Sequence, residues 1–186
     1  MIDRIIRATR LDWTVFREIA EDENATKEAA IIVLIVTFLA ALGGAGGLLI
    51  ARVGAGTAIL GFFVDWLVNG VLIGWIGWAI LTYFVGALLF KGKSDVPEML
   101  RVLGYASAPR LLGLLGFIPC VGWVFALAGW VLSLIAGIIA VREAQEFETS
   151  HAIITVVISW VIAVVITLII SGIFGIGAAV TSGVLG

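Results

Sequence analysis

Arg110 is the residue of this sequence whose chemistry is hardest to place, because it lies inside an apolar stretch with helical character. A charge at the centre of a bilayer costs about 3 kcal/mol or more, so a charged residue within a membrane span marks a candidate functional site. A functional Arg110 would contact a lipid phosphate or a partner protein. A structural Arg110 would form an ion pair that fastens two helices, and the sequence leaves both interpretations open.

The position of Arg110 predicts the direction of its side chain. It follows Arg101 by nine residues, which is about 13 Å along an α-helix. A helical side chain leans toward the N-terminus of its helix, which the distribution of positive charges places on the cytoplasmic side. We therefore predict that Arg110 snorkels toward the cytoplasm and pairs with Glu98 or Glu143. Asp65 is predicted to lie too far toward the opposite end of the bundle.

Pro109 is predicted to kink the third span, because proline removes a backbone donor and crowds the preceding turn. A neighbouring hydroxyl group must then satisfy the freed carbonyl group. Tyr105, one turn earlier on the same face, or Ser107 could supply it. The kink is then either a hinge or a simple bend.

Asp65 and Asn69 are one helical turn apart and share a helix face. A transporter could use such a pair to bind a proton or a cation. An ordinary membrane helix could use it as an interfacial cap and for a hydrogen bond between helices. Together with Arg110, the pair forms the polar set on which a transporter or channel would depend.

The sequence predicts neither an enzyme nor a cofactor-dependent protein. The chain has one cysteine, Cys120, and one histidine, His151, so we expect no metal site. No serine, threonine or cysteine has an evident base partner, so we expect no catalytic residues. The net charge of −2 provides no basic field for nucleic acid.

Composition places the chain in a membrane. Of 186 residues, 62% are hydrophobic and 13% are charged, and the mean hydropathy is +1.20. A soluble fold of this size could not bury so much apolar surface. Apolar stretches of about 20 residues, enough to cross a ~30 Å hydrocarbon core, predict an all-α polytopic membrane protein with five transmembrane helices. The predicted spans are 29–50, 66–90, 102–118, 123–141 and 152–170, with a connection over 52–63.

An amphipathic helix is predicted over residues 3–20, ahead of the first span. Such a helix either lies in the headgroup layer, with its arginines near anionic lipid, or packs on the bundle in solvent. We accordingly divide the chain into a cytoplasmic amphipathic segment (1–28), a five-helix transmembrane domain (29–172) and a glycine-rich tail (173–186).

The positive charges predict the orientation. With five spans and a cytoplasmic N-terminus, ten of the eleven lysines and arginines fall on the inner side or in the inner part of the third span, and only Arg52 falls outside. The positive-inside rule therefore predicts a multi-pass protein of the cell membrane with its N-terminus in the cytoplasm.

Small-residue faces predict close helix packing. The first occurs near the end of span one and the second along span two, and their glycines are Gly43, Gly47, Gly70, Gly74 and Gly77. These faces are suited to packing within one chain or to self-association.

Four stretches of the chain resemble the Yip domain family of small five-span membrane proteins. They are residues 16–22 before 26–29, residues 100–109 with Tyr105 and Pro109, residues 118–122, and residues 141–145 with Arg142 and Glu143. The resemblance implies a cytoplasmic N-terminus and a short outer C-terminal end. In eukaryotes the family acts in vesicle traffic with Ypt/Rab GTPases. The short N-terminal segment here is similar to the compact members of bacteria and archaea.

Two functional hypotheses follow. The first is a non-enzymatic membrane scaffold or adaptor, with membrane lipids, further copies of itself or other membrane proteins as partners. The second is a transporter or channel for a small solute or ion, using Arg110, Asp65 and Asn69.

Overall fold

A computed structural model describes the backbone of residues 1–50, 54–117 and 122–184, and within them the side chains outside 44–50, 116–117, 167–168 and 170–184. This part of the chain is helical and contains no strand. In chain order the elements are α1 (Ile2–Thr9), α2 (Trp13–Glu21), α3 (Ala25–Ile50), α4 (Ala55–Phe63), a π-helix (Val64–Gly77), α5 (Trp78–Phe90), α6 (Val96–Ala106), a 3₁₀-helix (Ala108–Phe117), α7 (Gly122–Gln145) and α8 (Thr149–Val184).

Four helices in the described ranges are long and apolar enough to cross a membrane: Ala25–Gly43, Ala55–Phe90, Gly122–Gln145 and Thr149–Ile166. The prediction of an all-α membrane protein with several spanning helices is therefore confirmed. The segment predicted as the third span has a different form, because α6 ends at Ala106 and a 3₁₀-helix continues the path.

The N-terminal segment forms two helices, so the prediction of one continuous helix over 3–20 was wrong. The chain turns at Leu11, whose φ of 61° is incompatible with a right-handed helix. The Asp12 side chain then accepts a hydrogen bond from the Thr14 backbone N–H at 3.0 Å and caps α2. Residues such as Val15, Phe16 and Ile19 are buried, so α2 packs on the bundle.

The helix that contains the predicted second span begins earlier than predicted. Residues 55–90 form one helical path of 36 residues, about 54 Å if it were α-helical throughout, against a hydrocarbon core of ~30 Å. Phe62 of α4 packs edge-on against Phe38 of α3 at 5.4 Å between ring centroids. Most of the predicted connection is therefore a packed helix.

The short connections lie at one end of the bundle. Residues 91–95 join α5 to α6, and residues 146–148 join α7 to α8, so each pair runs antiparallel. Lys93 of the first connection and Glu146 of the second form an ion pair. We call this end the charged end; it also holds α1, α2 and the start of α3.

Two glycines set the closest helix contacts around α6 and the 3₁₀-helix. A Cβ on Gly104 would lie 2.6 Å from the Cβ of Ala29, so α6 and α3 approach closely. A Cβ on Gly129 would lie 2.7 Å from the backbone oxygen of Pro109, so α7 lies directly against the 3₁₀-helix. These contacts fix the segment that carries Arg110.

Candidate functional site

Pro109 ends α6 and so determines where Arg110 lies. A 3₁₀-helix bonds residue i to residue i−3, and proline has no N–H with which to reach the Ala106 carbonyl. The hydroxyl group of Ser133 on α7 donates to that carbonyl at 2.7 Å instead. The predicted donors are engaged elsewhere: Ser107 Oγ bonds the Gly104 carbonyl at 2.7 Å.

Arg110 lies among the helices, between two cavities. One cavity, of about 300 Å³, is lined by Asp65 and Asn69 of the π-helix and by residues of α3 and the 3₁₀-helix. The other, of about 440 Å³, is lined by Asn69 and by the indole rings of Trp78, Trp130 and Trp160. Within the described part of the chain, no acidic side chain forms an ion pair with Arg110.

The predicted partners of Arg110 are bound to other groups, so that part of the prediction was wrong. Glu143 accepts from Arg17 at 2.8 Å and from Arg142 at 2.7 Å. Glu98 forms a capping box with Asp95 at the start of α6, in which the Glu98 N–H donates to Asp95 Oδ1 at 2.7 Å. Asp65, which we had placed too far away, shares a cavity with Arg110.

Asp65 and Asn69 contact each other. Asn69 Nδ2 donates to Asp65 Oδ1 at 3.3 Å, and both side chains are exposed. They belong to the π-helix, a backbone form that is rare and often occurs at functional sites. A Cβ on Gly74 would lie 2.8 Å from the Asn69 backbone oxygen, so this π-helical turn has no room for a side chain at 74.

The five glycines predicted to mediate packing differ in their surroundings. A Cβ on Gly70 would lie 2.7 Å from the Thr37 Cβ on α3, whereas one on Gly43 would meet nothing within 4 Å. Gly74 and Gly77 have backbone oxygens of their own helix as nearest atoms. Gly47 lies outside the residues with described side chains.

Tyr105 anchors the charged end. Its side chain is fully buried, and its hydroxyl group donates to the carboxylate of Glu28 on α3. Arg4 of α1 binds Glu18 at 2.9 Å and Asp22 at 2.8 Å, and lies 3.7 Å from Glu28. The bond to Asp22 is the main cause that raises the pKa of Arg4. The sequence analysis did not predict this cluster. Its charged residues, the acids within 18–28 and the arginines of α1, are nevertheless visible in the sequence.

A polar cavity of about 550 Å³ lies at the same end, between α2 and the end of α7. Arg17, Arg142, Glu98 and Glu143 are among the residues that line it. Because Glu143 is already bound by Arg17 and Arg142, an ion-pair network forms part of the wall of this cavity.

Arg101 crosses from α6 to α2. It is only 8% exposed, and its Nη2 donates to the backbone oxygen of Ala20 at 2.6 Å. This carbonyl lies near the end of α2, where a cation is favourable. Arg101 therefore fastens α2 to the bundle, a role the sequence did not indicate.

The helices define an integral membrane protein with a polar cluster at one end and an arginine among its spans. The family model described as Yip1 domain matches residues 14–180, most of the chain. The chain therefore belongs to the Yip1 domain family. Searches of curated proteins and of solved structures found no match.

Proposed function

We propose that this protein is a five-span, non-enzymatic scaffold or adaptor of the cell membrane, with its N-terminus in the cytoplasm. In addition to the four long apolar helices, α6 and the 3₁₀-helix together form one more crossing, the third in chain order. This crossing has 22 residues, from Val96 to Phe117, including the turn residue Ser107. Its path from the charged end is antiparallel to α7: Met99, Ala106 and Pro109 lie beside Gln145, Ser133 and Gly129 in turn.

The observation that carries the scaffold proposal is that α1 and α2 are bonded to the helices of the bundle. Arg4, Arg17 and Arg101 join these helices to α3, α7 and α6. A fixed pair of helices presents one surface to a partner, and this lowers the entropy lost on binding.

That surface mixes apolar and basic groups. Ile2 is 70% exposed, Ile6 46% and Trp13 48%, and Arg10 is also exposed. Tryptophan and arginine are enriched in binding interfaces. The surface therefore suits a membrane protein partner that approaches at the cytoplasmic headgroup level.

Substitutions on this surface test the scaffold proposal. We expect Ile6→Asp with Trp13→Asp to abolish complexes that cross-linking and mass spectrometry detect in native membranes. Glu23→Gln, also exposed at the charged end, should preserve them. Identical cross-link patterns for the wild type and the double variant would contradict the proposal.

Cysteine labelling tests the orientation. Cys120 is the natural cysteine, in the predicted outer turn, and should react with an impermeant maleimide in intact cells. A cysteine introduced at position 93 in a Cys120→Ser background should react only after the membrane is opened. The reverse pattern would invert the orientation.

A transporter or channel is the second candidate function, favoured by one observation. Arg110, Asp65 and Asn69 line a common cavity of about 300 Å³. Liposomes that contain the purified protein distinguish the two proposals. Solute or ion flux that is abolished by Asp65→Asn or by Arg110→Ala would establish transport and overturn the scaffold proposal, whereas the scaffold proposal expects no flux above that of empty liposomes.

A further inference from the structure

We propose that the cavity between the π-helix, α7 and α8 is a binding site for an anionic phospholipid of the surrounding bilayer, with Arg110 binding the phosphate. This proposal deepens the scaffold function and rests on it for the placement of the 3₁₀-helix in lipid. The site involves different residues from the N-terminal surface, so the two can fail separately.

The first argument is the state of Arg110. Its side chain is exposed to the cavities, and it has no carboxylate partner among the described residues. Charged side chains within the bilayer generally pair with another group. A guanidinium group matches the oxygens of a phosphate through charge-assisted hydrogen bonds. An anion that enters the cavity would supply the acceptor that the protein does not.

A second donor lies in the wall of the same cavity. The indole N–H of Trp78 is buried and has no acceptor among the described residues. Buried donors are almost always hydrogen-bonded, so an unpaired one indicates a missing ligand or water molecule. Asn69 lines the cavity too and has an amide hydrogen beyond the one that Asp65 accepts.

The nearby negative charge, on Asp65, lies outside the proposed lipid-binding cavity. Asp65 lines the 300 Å³ cavity together with Arg110 but does not line the 440 Å³ cavity. Its carboxylate accepts the hydrogen bond from Asn69. The cavity with the tryptophans therefore presents hydrogen-bond donors from Arg110, Asn69 and Trp78 without an opposing carboxylate.

The remaining walls are apolar and open toward lipid. Trp130 is 47% exposed and Trp160 is 49% exposed, on helices that are long and apolar enough to span the membrane. The volume of about 440 Å³ lies within the range of small-molecule sites. A ligand with both an anionic head and an aliphatic chain fits this combination, whereas a free anion would leave the indole walls uncovered. That contrast selects a phospholipid.

The test is a binding titration of the full-length protein in non-ionic detergent. The probe is a short-chain phosphatidylglycerol with brominated acyl chains, which quenches the fluorescence of nearby tryptophans. We expect saturable quenching by this lipid and none by the matching brominated phosphatidylcholine, whose headgroup is zwitterionic. Equal, saturable quenching by both lipids would overturn the proposal.

Variants assign the binding to the cavity. Arg110→Gln should weaken binding about tenfold or more, because a charge-assisted hydrogen bond is lost. Lys91→Gln, at an exposed cation of the charged end, should bind like the wild type, and Asp65→Asn at least as tightly. Unchanged affinity in Arg110→Gln would overturn the proposal.

Two further measurements keep the test decisive. Trp78→Phe removes the unpaired indole donor and should weaken binding severalfold even if Arg110→Gln fails to fold; unchanged affinity would contradict the assigned donor set. Inorganic phosphate should not compete at concentrations comparable to those of the lipid. Competition with equal affinity would assign the cavity to a free anion and overturn the assignment to a lipid.

Discussion

The charged end and the Arg110 region use arginine in opposite ways. At the charged end, Arg4, Arg17 and Arg142 each bind a carboxylate within 3.0 Å, and Arg101 binds a backbone carbonyl at 2.6 Å. Arg110 has no such acceptor in the described part of the chain. Apart from Glu143 beside Arg142, these acceptors come from elements distant in sequence, so the bonds hold separate helices together.

This difference separates structural charges from a candidate ligand group. An arginine with several protein acceptors contributes to stability, and replacing it or its partner should change unfolding. An arginine without a protein acceptor in an apolar region contributes little to the fold. Its replacement should instead alter the binding of whatever anion reaches it.

The largest expected effect is at Tyr105, which links the charged end to the core. Tyr105→Ala removes a fully buried ring and should lower the free energy of unfolding by about 3–5 kcal/mol, as for other buried aromatic residues. Tyr105→Phe keeps the ring and loses only the bond to the Glu28 carboxylate, at a cost of about 1.5–3 kcal/mol. Denaturant titration in detergent measures both; equal losses would show that the hydroxyl group carries the effect.

Glu143→Gln should have the next largest effect. The Glu143 side chain is 4% exposed and bridges two arginines. Because Arg17 is 60% exposed and can return to water, we expect a loss of about 1–2 kcal/mol, below the range for a fully buried pair. Glu148→Gln, an exposed control three residues beyond Gln145, should leave the unfolding midpoint unchanged. If Glu143→Gln also left the unfolding midpoint unchanged, the ion pairs of the charged end would not stabilise the fold.

Ser133→Ala should destabilise by about 1 kcal/mol, because the Ala106 carbonyl would lose the donor that replaces Pro109. Ser150→Ala is the matched control, since that side chain is exposed. Thermal unfolding in detergent gives the comparison. If Ser133→Ala and Ser150→Ala unfold at the same temperature, the 3₁₀-helix does not depend on this bond.

The fold class and most spans could be predicted from the sequence, since they depend on apolar length and on charge at the helix ends. The form of the third segment could not. Pro109 predicted a disruption, but the change to a 3₁₀-helix depends on Ser133 and Gly129, which lie on α7. The N-terminal helices were joined into one because their apolar spacing continues across Leu11, whereas the break depends on a backbone angle and on the Asp12 cap.

The surroundings of Arg110 were mispredicted for a related reason. The direction predicted for Arg110 required an α-helix from Arg101 to Arg110, whereas the backbone changes form between them. The predicted ion pair also required a free Glu143, but Arg17, far away in sequence, binds that carboxylate. The types of the cavity residues were visible in the sequence, but the position of Asp65 beside Arg110 depends on a π-helix that no sequence pattern indicated.

Acid should weaken the attachment of α1 to the bundle before it destabilises the rest of the fold. The bonds from Arg4 hold the pKa values of Glu18 and Asp22 below their ordinary values of 4.5 and 3.8. Their stabilising contribution is therefore complete above these values and is lost as the pH falls through the lowered ones. Hydrogen exchange in α1, corrected for intrinsic rates, should begin to rise as the pH falls through about 4.5 and should rise further below 3.8. In Glu18→Gln the rise should be smaller; an unchanged rise would exclude Glu18 as a cause.

The smallest expected effect on stability is at Arg110, and it tests the comparison most directly. In lipid-free detergent, Arg110→Gln should leave the free energy of unfolding unchanged or slightly higher, because the variant loses a charge that has no protein acceptor in the described structure. Phosphatidylglycerol should raise the unfolding temperature of the wild type but not of the variant, since a ligand stabilises only the state that binds it. Lys91→Gln should respond to the lipid like the wild type. If Arg110→Gln lost as much stability as Glu143→Gln without lipid, Arg110 would have a protein partner, and the contrast between the two regions would disappear.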